Sequence, residues 1–256
     1  MPYETAWRQL WNGLGIRDPD PALLSALLSA LLARYSEPHR KYHTLEHLDA
    51  CLGNFALVRD QATHPSEVEL ALWFHDAIYE IPARGNEHRA GPPPSKLAAQ
   101  LSERSCPNEH RAGLPPSKLA AQLAERSCPN ERQSADWASD ALLGAGAAPE
   151  VAQRVQALVM VTCHDRLPQT GDEALLLDVD LAILGAPPVV FDVYEAQIAA
   201  EYSSVPEPVR RSRRQSILQG FLERERIFHS EYFRDRLEAQ ARTNLRRSIA
   251  ALGSSA

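Results

Sequence analysis

The sequence has no apolar run approaching the roughly 20 residues that cross a bilayer, and its start, Met1-Pro2-Tyr3-Glu4, lacks the basic and apolar regions of a signal peptide. Both absences point to the cytoplasm. Cysteine is scarce: Cys51, Cys106, Cys128 and Cys163 are too few and too irregularly spaced for a disulfide framework, and a reducing compartment keeps them as thiols. A basic excess is also missing. The formal net charge of −6 carries no nucleic-acid footprint, because binding phosphates along a whole face needs surplus lysine and arginine. A small phosphorylated ligand remains compatible with that charge, and nothing points to a membrane. Period-two alternation of apolar and polar residues is absent as well, so nothing asks for a sheet.

What is present is helical. The hydrophobic fraction of 44% and charged fraction of 23% are ordinary for a globular chain, and 256 residues suffice for one substantial core, read here as a single domain over 1–256. Trp7, Leu10, Trp11 and Leu14 fall at helical spacing, and Leu23, Leu24, Leu27, Leu28, Leu31 and Leu32 make a broad apolar face. The spacing predicts helices over 3–14, 21–35 and 43–59, then one opening at Pro65 with Ser66 as N-cap and reaching Ile78. Further helices are predicted over 131–143, 149–163, 172–184, 188–203, 207–223 and 230–251. The expected fold is all-α.

Residues 86–129 differ in kind. They are two copies of one 22-residue unit, 86–107 and 108–129, which differ only at Pro92 against Leu114 and Ser102 against Ala124. Two copies are fewer than a solenoid needs to stack a core, so the segment reads as a surface insertion from a tandem duplication. His88, His110, Cys106 and Cys128 suggest a zinc site there. Because Arg132 replaces the histidine after Cys128, duplication of one incidental cysteine and one incidental histidine accounts for them instead.

The residues with chemical potential lie outside the insertion. His43 and His47, at i and i+4, share one face of the predicted third helix and can seat a metal, or one ligand and one proton donor. Chance produces such pairs too. His75-Asp76 follows an apolar helix that should be buried, and burying a carboxylate costs several kcal/mol unless a cation or hydrogen bonds compensate it. A local pairing of Asp76 with His75 is the plainer alternative. In 175–184, Asp178 and Asp180 interrupt a strongly apolar helix and lie about 200° apart around it, so only one can face a given site. Asp180 shares the larger apolar face and is the expected ligand. His164-Asp165 repeats the dipeptide after another apolar helix; His164 can touch a substrate or a second metal, or be an interior histidine.

The stretches EPHRKYHTLEHL, ALWFHDAIY, NERQSADWA, VTCHD and LLLDVDLAILGAPP together resemble the HD superfamily of metal-dependent phosphohydrolases, specifically a bacterial group described as predicted HD phosphohydrolases. The resemblance covers nearly the whole chain except the insertion. It implies an HD-domain-like helical bundle, metal ligation by His47, His75, Asp76 and Asp180, and His43 as proton donor to the leaving oxygen. It also places Asn130-Glu131 at a pocket rim that the insertion can disturb, with Glu131 a candidate for substrate contact. A mixed nitrogen and oxygen ligand set suits one or two ions of Mn²⁺, Fe²⁺, Co²⁺ or Zn²⁺ better than Mg²⁺. Asp76 is then the residue to orient a water or bridge a second ion. Arg40, or the cluster Arg210, Arg211, Arg213 and Arg214, can supply positive charge for phosphate oxygens. The expected activity is hydrolysis of a phosphate ester of a nucleotide or another small metabolite. Two alternatives stand beside it: a metal- or nucleotide-binding module without turnover, and an H-x-x-E-H zinc peptidase with Glu46 as general base.

Overall fold

A computed structural model describes residues 2–81 and 128–254. The insertion, apart from Cys128 and Pro129, lies outside the described residues, and so do His88, Cys106 and His110. Among the described residues there are ten α-helices and no strand: α1 (Pro2–Asn12), α2 (Pro21–Tyr35), α3 (Leu45–Ala56), α4 (Pro65–Phe74), α5 (Pro129–Gly144), α6 (Pro149–Val161), α7 (Gly171–Asp180), α8 (Pro188–Glu201), α9 (Glu207–Leu222) and α10 (Glu231–Gly253). A short 3₁₀ turn, Leu181–Gly185, continues α7. The fold class is all-α, as expected.

Local chemistry sets the boundaries. Asp20, Thr44 and Thr170 cap α2, α3 and α7 by accepting the backbone N–H of Ala22, Glu46 and Glu173. Pro21, Pro65, Pro129, Pro149 and Pro188 open their helices, where a missing N–H leaves no bond unmade. Two expectations shift. Ser66 is buried inside the first turn of α4, with His64 at the cap position and Pro65 opening the helix. His43 precedes the Thr44 cap, so it is not on the helix that carries His47.

Helix α4 is the centre of the bundle. It is apolar around nearly its whole circumference, which is stable in water only when every face is covered. Val68, Leu70, Ala71, Leu72, Trp73 and Phe74 are all essentially inaccessible. Helices α1, α3, α5, α6 and α7 pack against it, and Trp7, Trp11 and Trp73 interlock with ring centroids 5.1–5.5 Å apart. The Asp172 carboxylate at the start of α7 accepts the N–H groups of Thr63 and His64 just before α4. That clasp fixes the helix ending at His75 relative to the one ending at Asp180.

Helix α10 closes the bundle over α9 and the 181–185 turn. At Gly185 a β-carbon would lie 2.5 Å from Leu237 Cβ and 2.9 Å from its carbonyl oxygen. Gly185→Ala therefore has to push α10 away, and a loss of about 1–3 kcal/mol is expected in a urea unfolding titration. No single helix among the described residues is long and apolar enough to cross a membrane; the segments 171–185 and 188–204 reach that length and apolarity only together, across a bend of 103°.

Candidate metal centre

Three helix ends and one loop converge on a single point. His47 projects inward from the first turn of α3, His75 sits at the C-terminal cap of α4, Asp76 follows it, and Asp180 ends α7. His47 Nε2 and His75 Nε2 are 3.1 Å apart. The Asp76 Oδ2 atom lies 3.0 Å from His75 Nε2 and 3.4 Å from His47 Nε2. The Asp180 Oδ1 atom lies 3.5 and 3.6 Å from the same two nitrogens. Ligand bonds of about 2.0–2.2 Å place neighbouring donors of one ion roughly 3.0–3.5 Å apart, so these separations match the edges of a coordination polyhedron. Cys51, one helical turn beyond His47, brings its sulfur to 3.6 Å from His47 Nε2. His47, Cys51, His75 and Asp180 form a group that can hold a metal ion.

The electrostatics are those of charged groups waiting on each other. Burial pushes the Asp76 and Asp180 carboxyls up, but the surrounding imidazoles outweigh it and hold both well below their ordinary range. Burial acts in the opposite direction on His47 and His75; Cys51, Tyr42 and the Asp180 and Asp76 carboxylates outweigh it at His47, and Asp76, Tyr35 and Asp180 outweigh it at His75, holding both imidazoles well above theirs. The His75 Nδ1–H donates to the Leu72 carbonyl at 2.7 Å, which leaves Nε2 directed at the cluster. The donor set, two imidazoles and two carboxylates with a thiol adjacent, fits a borderline divalent ion.

His43 approaches from a bend held by Glu201, a residue that sequence reasoning missed. The buried Glu201 carboxylate accepts the backbone N–H groups of Lys41, Tyr42 and His43 at 2.8–3.0 Å. It also accepts from His43 Nδ1 at 2.8 Å and from the Tyr79 hydroxyl at 2.9 Å. A carboxylate can only accept, so His43 carries its proton on Nδ1 and its Nε2 is the atom left for the cavity. The signal was in the sequence: Phe191, Tyr194 and Ile198 form a stripe along α8 that continues to position 201, where the residue is an acid.

A cavity of about 350 Å³ beside the cluster is lined by His43, His75, Asp76, Glu131, His164 and Asp180. Its other walls come from Tyr42, Tyr79, Tyr194 and Tyr202, apolar side chains including Leu181, Ile183, Ile198 and Phe221, and Arg210, Arg213 and Arg214 of α9. His164 sits in a left-handed turn with φ of 55°, its Nε2 is 3.2 Å from Asp180 Oδ2, and Arg224 holds its carbonyl. Arg214 is already engaged by Glu195 and Tyr194. Arg211 lies outside this cavity and bonds the end of α10.

Some residues go elsewhere. The Arg40 guanidinium is buried and spends its donors on Glu37 and the carbonyls of His43, Asp76 and Ala77, so it ties the His43 bend to the Asp76 loop and does not face the cavity. Glu46 is exposed and does not line the cavity, which leaves a peptidase general base out of reach. Asp178 is fully buried as well, although Asp180 was the acid expected on the buried face. Its carboxylate accepts from the N–H groups of His229 and Ser230 and from the Ser230 hydroxyl at 2.6–2.8 Å, fixing the chain just before α10. Asp178→Ala is accordingly expected to lower stability by about 1–3 kcal/mol in a denaturant titration while leaving metal content unchanged, because the donors it orphans, on His229 and Ser230, are not part of the cluster. No protein-family model matches the chain, and neither a curated protein nor a solved structure matches it.

Proposed function

We propose that the chain is an HD-type metal-dependent phosphohydrolase that cleaves a phosphate ester of a nucleotide or another small metabolite. The observation that carries this reading is the convergence of His47, His75, Asp76 and Asp180, with the two imidazoles 3.0–3.6 Å from each other and from both carboxylates, beside a cavity that His75, Asp76, Asp180, His43 and arginines line. An HD-type arrangement of the helices is part of the proposal, supported by the order of the motifs along the chain. A divalent ion held by those four residues supplies Lewis acidity toward a phosphoryl oxygen and an acidified water.

The chain's own groups do the rest. His43, backed by Glu201, delivers a proton from Nε2 to the departing ester oxygen. Asp76, beside both imidazoles, orients the attacking water. Arg210 and Arg213 present positive charge to the phosphate oxygens, a role suited to guanidinium geometry. The apolar and tyrosine walls accept the body of the ester, and a cavity of about 350 Å³ limits it to a small molecule.

The test is phosphate release from a panel of nucleoside phosphates, sugar phosphates and an aryl phosphate, each assayed with Mn²⁺, Fe²⁺, Co²⁺ or Zn²⁺ and with chelator. Release that requires metal supports the reading. Metal retention with no release from any ester would turn it toward a binding module without turnover.

A further inference from the structure

A second set of ligand-bearing side chains stands beside the cavity and overlaps it only at Glu131. Cys128 immediately precedes α5, Glu131 lies in the first turn of α5, and Cys163 lies in the turn that ends α6. One ligand atom from each is within 4.8 Å of the other two, and the side chains of Cys128 and Cys163 are hydrogen-bonded to each other. None of the three is an exposed residue. They come from two chain segments more than 30 residues apart, brought together by the packing of α5 on α6.

We propose that Cys128, Glu131 and Cys163 form a second, thiolate-containing metal site at the cavity rim that takes Zn²⁺ or another thiophilic divalent ion. Zinc bonds of about 2.3 Å to sulfur and 2.0–2.2 Å to oxygen put the donors of one tetrahedral ion roughly 3.5–3.8 Å apart, so small side-chain rotations close the site. Thiolates exclude Mg²⁺ and Ca²⁺, which demand oxygen donors. Three protein ligands leave the fourth position to water. Uptake forms two metal–sulfur bonds and one metal–oxygen bond and releases the thiol protons to solvent, with no oxidant required.

Because Cys163 precedes His164, occupancy also stiffens the turn that presents His164 to Asp180.

The experiment uses the full chain, reduced, loaded with Zn²⁺, desalted and measured by elemental analysis, in a His75→Ala, Asp76→Ala background that disables the first cluster. That protein is expected to retain about one zinc per chain, and to lose it when Cys163→Ser or Cys128→Ser is added. Serine is a favourable residue at the cap position of α5, so Cys128→Ser tests the site with little threat to folding. With Co²⁺ in place of Zn²⁺, a thiolate charge-transfer band should appear in the same background, survive Cys51→Ser and vanish with Cys163→Ser. Zinc content indifferent to Cys128 and Cys163, a band that follows Cys51, or a Cys128 to Cys163 disulfide in the reduced, zinc-loaded protein would each overturn the proposal. Phosphate release does not enter the count, so failure of the phosphohydrolase reading is a separate result.

Discussion

Replacing His75 and Asp76 with alanine is expected to abolish binding of the ion assigned to the first cluster and to reduce metal-dependent phosphate release by on the order of 10³-fold or more. The size of the effect follows from geometry. These residues supply two of the four donors, in which each carboxylate lies 3.0–3.6 Å from both imidazoles, and Asp76 is the carboxylate closest to either imidazole. Folding should survive, since His75 and Asp76 lie beyond the last turn of α4 and the apolar contacts of that helix remain; circular dichroism and a thermal scan check this. The protonation of the cluster gives the same prediction a pH dimension. His47 and His75 are held well above 6.5 by their polar and carboxylate neighbours, so an incoming ion must displace their protons, and affinity should rise with pH. In metal-free protein the linkage has the opposite sense. A raised imidazole pKa contributes stability that is fully present below about 6.5 and is lost as pH rises through the elevated value. Titrating stripped wild-type protein with Mn²⁺ at several pH values, with proton release followed in parallel, checks both directions. An unchanged metal content in the double variant would remove the cluster from consideration.

Glu201→Gln is expected to lower turnover by roughly 10²- to 10⁴-fold while leaving metal content intact. The amide preserves volume and one carbonyl for the three backbone N–H groups, yet it presents a donor where His43 Nδ1–H and the Tyr79 hydroxyl both need an acceptor. His43 then loses the partner that fixes its tautomer and compensates its charge. Loss of turnover with metal retained separates this role from the ligands' role. Glu201 also sets an acid limit on stability. Burial pushes its carboxyl up, but the hydrogen bond and charge of His43 and the backbone donors prevail and bring it from 4.5 down to about 2. A depressed carboxyl contributes stability that is present above 4.5 and is lost as pH falls through about 2. Acid unfolding of the wild type should include that component, and the Glu201→Gln variant should lack it. If turnover survives the substitution, His43 does not need the carboxylate and the proton-donor assignment fails with it.

The helices were legible because their causes are local. Leu24, Leu28 and Leu31 repeat at the helical period, and the Gly185, Pro187 and Pro188 run stops the segment that carries Asp180. The all-round apolarity of 68–74 announced a buried helix, and hence a buried His75 beside Asp76. The choice between Asp178 and Asp180 was less well founded. Rotation about the helix said that the two acids diverge, but it could not show that the Asp178 face meets the start of α10 and is itself buried. Partners distant in sequence were illegible for the same reason. Arg40 spans to Asp76 and Ala77, and Glu201 spans to 41–43, by packing that no periodicity encodes. The placement of His43 before its helix depends on the Glu201 clasp, so the i, i+4 argument treated as one face what the chain builds as a loop meeting a helix.

The most direct test of the central claim is the initial rate of phosphate release by metal-stripped wild-type protein as Mn²⁺ is added back. The account predicts no release above background in stripped protein, a rate that rises and saturates as the ion is restored, and a return to background on adding chelator. Release that persists in stripped protein and ignores both Mn²⁺ and chelator would contradict it.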